Sequence, residues 1–115
     1  MPTERLGFLT FGVAIAVAIL LGGPVALPPG LDKAAHFAAF SALTLCLWQA
    51  TAGQMPFFVL AGVIAFAAVD EARQAHLPDR VSDAQDFLAD IAAALVTAAL
   101  LFMKRKTRCA ESSPR

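Results

Sequence analysis

The chain has 115 residues, of which 58% are hydrophobic and 16% charged, and nine Lys and Arg balance nine Asp and Glu to a formal net charge of zero. Soluble domains average about 45–50% apolar and about 25% charged residues, so this composition excludes a disordered chain and a nucleic-acid binder. With two Cys it also excludes a disulfide-stapled secreted domain, and the length allows one domain.

The first apolar segment runs from Leu6 to Gly23, with Thr10 as its one polar side chain. Its centre, Gly12–Leu21, has no polar face, which a helix of a soluble bundle would need. No A-x-A site follows it, so the segment reads as a retained helix rather than a cleaved signal peptide. Residues 22–31, rich in Gly and Pro, form a loop. The second segment covers about 34–52. Trp48, near its end, reads as an anchor at the membrane interface, and Cys46 reads as a small apolar filler.

A tight connection over Thr51–Met55 leads to the third segment, about 56–75. It opens on Pro56, which suits a first helical position because its missing N–H costs nothing there. It stays uncharged until Asp70. A third loop, containing Pro78, precedes the fourth helix, about 84–103, whose apolar part from Phe87 to Met103 holds one charge, Asp90. A basic, disordered tail is expected from Lys104 onward. The expected fold is all-α: a single domain over 1–103 with four transmembrane helices in an up-down bundle, followed by the tail 104–115. Each segment approaches the ~20 apolar residues that crossing ~30 Å of hydrocarbon requires.

The balanced charge hides an asymmetry. The terminal side of such a bundle holds six cations (Arg5, Lys104, Arg105, Lys106, Arg108, Arg115) and two acids (Glu4, Glu111), a net +4. The opposite side holds three cations (Lys33, Arg73, Arg80) and seven acids (Asp32, Asp70, Glu71, Asp79, Asp83, Asp86, Asp90), a net −4. The excess of Lys and Arg places both termini in the cytoplasm of a multi-pass protein of the bacterial inner membrane.

The acidic side holds the chain's chemistry. At helical pitch, Lys33 and His36 lie about 60° apart, and Asp83, Asp86 and Asp90 form one stripe, with Asp90 about 10 Å deeper than Asp83. A charge at the centre of a spanning helix costs about 2.5–3.5 kcal/mol on insertion scales. Asp90 must therefore pair, stay protonated or face a wet cavity. One reading of His36 is an ion pair with Asp86 or Asp90; another is a headgroup contact or proton carrier. Asp70, Glu71 and Asp86 read as an acid/base pair, as oxygen ligands of a divalent metal, or as interhelical glue with Arg73, Arg80 and Gln74. His76, in a loop, reads as a surface residue.

The strings Lys33-Ala34-Ala35-His36-Phe37 and Asp70-Glu71-Ala72-Arg73-Gln74, followed by Pro78, Arg80 and Asp86, resemble the VanZ-like family of small bacterial membrane proteins, named for a teicoplanin-resistance protein. That family's pattern is similar to K-x-x-H-F, D-E-x-x-Q, a short Pro-containing loop with an Arg, and D-x-x-x-N-x-x-G. Asp90 stands where the family usually has Asn, and Ala93 where it usually has Gly. The resemblance implies an integral membrane protein with an outward-facing polar site. Lys33, His36, Asp70, Glu71, Gln74, Arg80, Asp86 and Asp90 are its candidate catalytic residues, with roles unassigned. It implies a link to glycopeptide resistance for the named member. The expected partner is a membrane lipid or lipid-linked envelope molecule, with no nucleic acid, no cofactor and no metal. The alternatives are a small proton-coupled transporter subunit using Asp90, and a structural accessory protein of an envelope complex.

Overall fold

The computed structural model describes residues 3–21, 31–76 and 84–112, with side chains throughout except at Asp32, Gln74, Ala84, Asp86 and residues 108–112. It contains four helices: α1 (Thr3–Leu21), α2 (Leu31–Ala50), α3 (Pro56–Ala75) and α4 (Ala84–Ser112). No strand occurs among the described residues.

Four contacts fix the up-down order. Arg5, at the start of α1, reaches the carbonyl of Ala50 at the end of α2. Arg105, late in α4, reaches Gly53 in the turn between α2 and α3. At the other end, His36 of α2 meets Asp90 of α4, and Arg73 of α3 meets Ile19 of α1. The bundle is all-α and up-down, as the alternation of apolar runs and short breaks implies. The helix α2 packs against each of the other three, whereas α1 lies chiefly along α2.

The core is made of Phe40 and Leu43 from α2, Val59, Val63 and Ala67 from α3, and Ala93 and Ala94 from α4. Small residues let helix backbones approach closely and pack by van der Waals contact. On α1 the one buried residue is Gly12, where an added Cβ would stand 3.2 Å from the Cys46 Cβ. Cys46 is thus the small filler expected, packed under the α1 backbone. Thr44, fully buried, satisfies itself by donating to the Phe40 carbonyl at 2.8 Å.

The surface is inverted relative to a water-soluble protein. Phe8, Phe11, Val13, Val17, Phe57, Phe58, Val69, Leu88, Leu100 and Phe102 point outward, while Asp70 and Asp90 are buried. Contiguous exposed apolar surface of this kind suits hydrocarbon or a partner, not water. Two helical stretches, Thr3–Leu21 and Phe87–Thr107, are long and apolar enough to cross a membrane.

Two expectations are corrected. The fourth helix does not end at Met103 but runs to Ser112. The basic run is built of Lys, Arg, Ala and Glu, good helix formers, and the next Pro is Pro114. At 29 residues α4 is about 43 Å long, longer than the ~30 Å apolar layer, so its last turns extend past the apolar stretch. Trp48 is not an exposed interfacial anchor. It is buried because the α2–α3 turn folds back over it.

That turn has the hydrogen bonds of a Schellman motif: Gly53 N–H donates to the Trp48 carbonyl at 2.9 Å and Ala52 N–H to that of Gln49 at 3.1 Å. Ala52 takes the left-handed position at φ 55°, and Gly53 follows at φ 69°. A Cβ on Gly53 would stand 3.0 Å from the indole nitrogen of Trp48, so glycine is required there twice over, by its φ and by the ring beneath it.

Candidate functional site

Three helices place one ionisable side chain each in a common patch. His36 lies in the second turn of α2, Asp70 in the last third of α3 and Asp90 in the second turn of α4. One ligand-type atom from each of the three lies within 4.8 Å of the others. Asp70 is 1% exposed and Asp90 2%, so both carboxylates are buried.

Partners explain how the acids tolerate burial. His36 Nδ1 lies 3.1 Å from Asp90 Oδ1; with an ionised Asp90, which only accepts, the imidazole donates from Nδ1. Among the described side chains, Asp90 is the acid that meets His36. Asp70 receives two bonds on Oδ1 from its i+3 neighbour, from Arg73 Nη2 at 2.8 Å and Nε at 3.2 Å. The same guanidinium reaches the Ile19 carbonyl at 3.3 Å. That carbonyl belongs to the last turn of α1, where the helix leaves its oxygens without intrahelical donors. One arginine therefore serves a buried carboxylate and a helix end together.

The patch is closed from below by aromatic rings. Phe40, one turn along α2, stacks under His36 with ring centroids 6.4 Å apart and planes 6° from parallel. Phe66 of α3 leans on Phe40 at 5.9 Å. The imidazole is thereby held between an apolar floor and a carboxylate, which restricts its rotation. Ala93 and Ala94 lie one turn below Asp90, fully buried. A small side chain at 93, whether this Ala or the Gly of the family pattern, keeps that floor tight.

Lys33 and Glu71 stand at intermediate exposure at the same end of the bundle. Gln74 and Asp86 lie on α3 and α4 at this end, but their side chains are outside the described set, and Arg80 lies outside the described residues altogether. The structure thus brings His36, Asp70 and Asp90 into direct proximity, with Lys33 and Glu71 nearby. His76 is exposed in the turn after α3, as expected of a surface residue. Arg73, one of the cations expected to glue the acids, ties Asp70 to the end of α1. The signal available was its i+3 spacing from Asp70; its reach to α1 had none in the sequence.

Chemically, one imidazole and two carboxylates can exchange a proton among themselves or ligate a divalent cation. A cation at this position would displace the hydrogen shared by His36 and Asp90, because metal ligands must be deprotonated.

A family model described as VanZ/LLP1 matches residues 4–105, a span that includes all eight candidate residues. No curated protein and no solved structure gives a significant match to the chain.

Proposed function

The chain belongs to the VanZ/LLP1 family, and from that premise we propose a four-span membrane protein whose buried polar end binds or acts on an amphiphile of the cell envelope. In this reading both termini lie in the cytoplasm, in keeping with the +4 balance of the terminal side, and the His36–Asp70–Asp90 patch faces the opposite compartment. The amphiphile is a phospholipid or a lipid-linked wall precursor, and the route to glycopeptide (teicoplanin) tolerance runs through that molecule.

The observation that carries this is the convergence of three ionisable groups from three helices within 4.8 Å. Ionisable residues inside a membrane are expensive and mark functional sites by default. Glu71 and Lys33 at the rim supply charges of both signs for a zwitterionic or anionic headgroup.

A structural role for the cluster is the competing reading, favoured by the tie from Asp70 through Arg73 to Ile19. The variants Glu71→Gln and His36→Gln separate the two, since each keeps a capacity to hydrogen-bond. Both are expressed in bacteria beside the unaltered protein. Protein level, phospholipid and wall-precursor composition, and teicoplanin susceptibility are measured. The functional reading expects normal protein levels with the composition reverting to that of cells lacking the protein. A composition that depends on protein level alone supports the structural role. Proton-coupled efflux that survives Asp90→Asn would remove the transporter alternative.

A further inference from the structure

At the terminal end of the bundle, away from the polar patch, α3 and α4 diverge enough to leave a groove of about 230 Å³. Trp48 forms its floor, Pro56, Phe57 and Leu60 one wall, and a stripe of α4 side chains the other. That stripe is Leu95, Ala98, Ala99 and Phe102, at the i, i+3, i+4, i+7 spacing of one helix face. Seven residues at helical rise make the groove about 10 Å long. Among the side chains that line it the one polar hydrogen is the Trp48 indole N–H, which lies beneath Gly53.

Two features stand at the mouth. The α4 stripe continues one turn beyond Phe102 to Lys106, which is exposed and shares the face because it is four residues on. On the other wall Pro56 and Phe57 are the first two residues of α3, so the positive end of that helix's dipole opens at the same place. Arg105, beside them, is already committed to the Gly53 carbonyl at 2.6 Å. The result is a slot that is apolar along its length and cationic at one end.

We propose that this groove holds one acyl chain of an anionic phospholipid, taken from the leaflet around the terminal side, with its phosphate between Lys106 and the first turn of α3. Charge complementarity selects that occupant: a zwitterionic lipid fits the slot but brings no net negative charge to the mouth. The site lies at the opposite end of the bundle from the polar patch, and it requires membrane residence but not the function proposed for that patch.

The chain's one tryptophan lines the groove and reports on it. The full-length protein is placed in bilayers containing brominated phosphatidylglycerol or brominated phosphatidylcholine at equal mole fraction, and quenching of Trp48 fluorescence is measured. The expected result is a preference of about fivefold for the anionic lipid, the ratio that one cation near its headgroup supplies. Ala99→Phe fills the slot from an exposed position and reduces quenching by both lipids. Lys106→Gln keeps quenching by both lipids and lowers the preference, the remainder being due to the charge that Arg105 retains. Helix content by circular dichroism accompanies each variant, and Ala99→Leu and Lys106→Asn replace any variant that loses it. Equal quenching by the two lipids in the unaltered protein, or quenching that Ala99→Phe leaves unchanged, would overturn the proposal.

Discussion

The two ends of the bundle handle charge in opposite ways. At the polar end, side-chain donors meet carboxylates: the Arg73 guanidinium on Asp70 and the His36 imidazole beside Asp90. At the terminal end, cations meet backbone: Arg5 donates to the Ala50 carbonyl and Arg105 to that of Gly53. Both arrangements fasten helices that packing alone holds loosely. They differ in what remains. A carboxylate neutralises its cation, so the polar end can bury its charges. A carbonyl leaves the full positive charge in place, so the terminal end stays cationic even where every arginine is hydrogen-bonded. Two of the six terminal-side cations, Arg5 and Arg105, thus also act as clasps between helices and turn.

This contrast can be broken by substitution, and the largest effect is expected at the polar end. Asp70→Ala removes the acceptor of two bonds and leaves Arg73 without its carboxylate. Removing one partner of a buried pair costs about 3–5 kcal/mol, and the Arg73 side chain is 27% exposed, so water offsets part of that loss and about 3 kcal/mol is expected. Denaturant-dependent loss of helix in detergent micelles measures it. The double change His36→Leu with Asp90→Leu should cost less than the sum of the two single changes, because their mutual contact is lost only once. A double variant that costs the full sum would show that the two side chains are not coupled.

Midway between the ends, Gly12→Leu should cost about 1–3 kcal/mol by overpacking against Cys46. It should also weaken α1 against α2 specifically, which cysteine crosslinking between the two helices reads out. At the terminal end, Arg105→Ala strands the Gly53 carbonyl at a partly hydrated position, so about 1 kcal/mol is expected. Arg5→Ala should cost the same, and the two losses should add, since they act on different carbonyls. The smallest effect has the opposite sign. Ala52→Gly relieves a left-handed alanine and should raise stability by up to about 1 kcal/mol, seen as a higher melting temperature.

The sequence made the helices legible because Pro and Gly cluster between apolar runs that have no polar face. The polar end was legible as a set, since Lys33, His36, Asp70, Glu71 and Asp90 all occur at the same ends of their helices. Which acid meets His36 was not. Asp86 and Asp90 are one turn apart on one face, and the contact of His36 with Asp90 depends on the interhelical register of α2 on α4. The terminal end was misread for a related reason. Trp48 near a helix end suggests contact with the membrane interface, and nothing local announces a turn that folds back over its ring. The continuation of α4 to Ser112 was hidden because apolar periodicity stops at Met103 while helix propensity does not.

The clasp on the α2–α3 turn has a consequence for the order in which the protein is made. Arg105 and Gly53 are 52 positions apart, and Arg5 precedes Ala50 by 45. On the ribosome, the arginine of α1 exists before the turn it will hold, whereas that of α4 does not yet exist when the turn is inserted. For the time it takes to synthesise half the chain, the hairpin has one fastening instead of two. Its Gly53 carbonyl must rely on water in that interval, which the terminal side of the bundle, lying at the edge of the apolar layer, can supply.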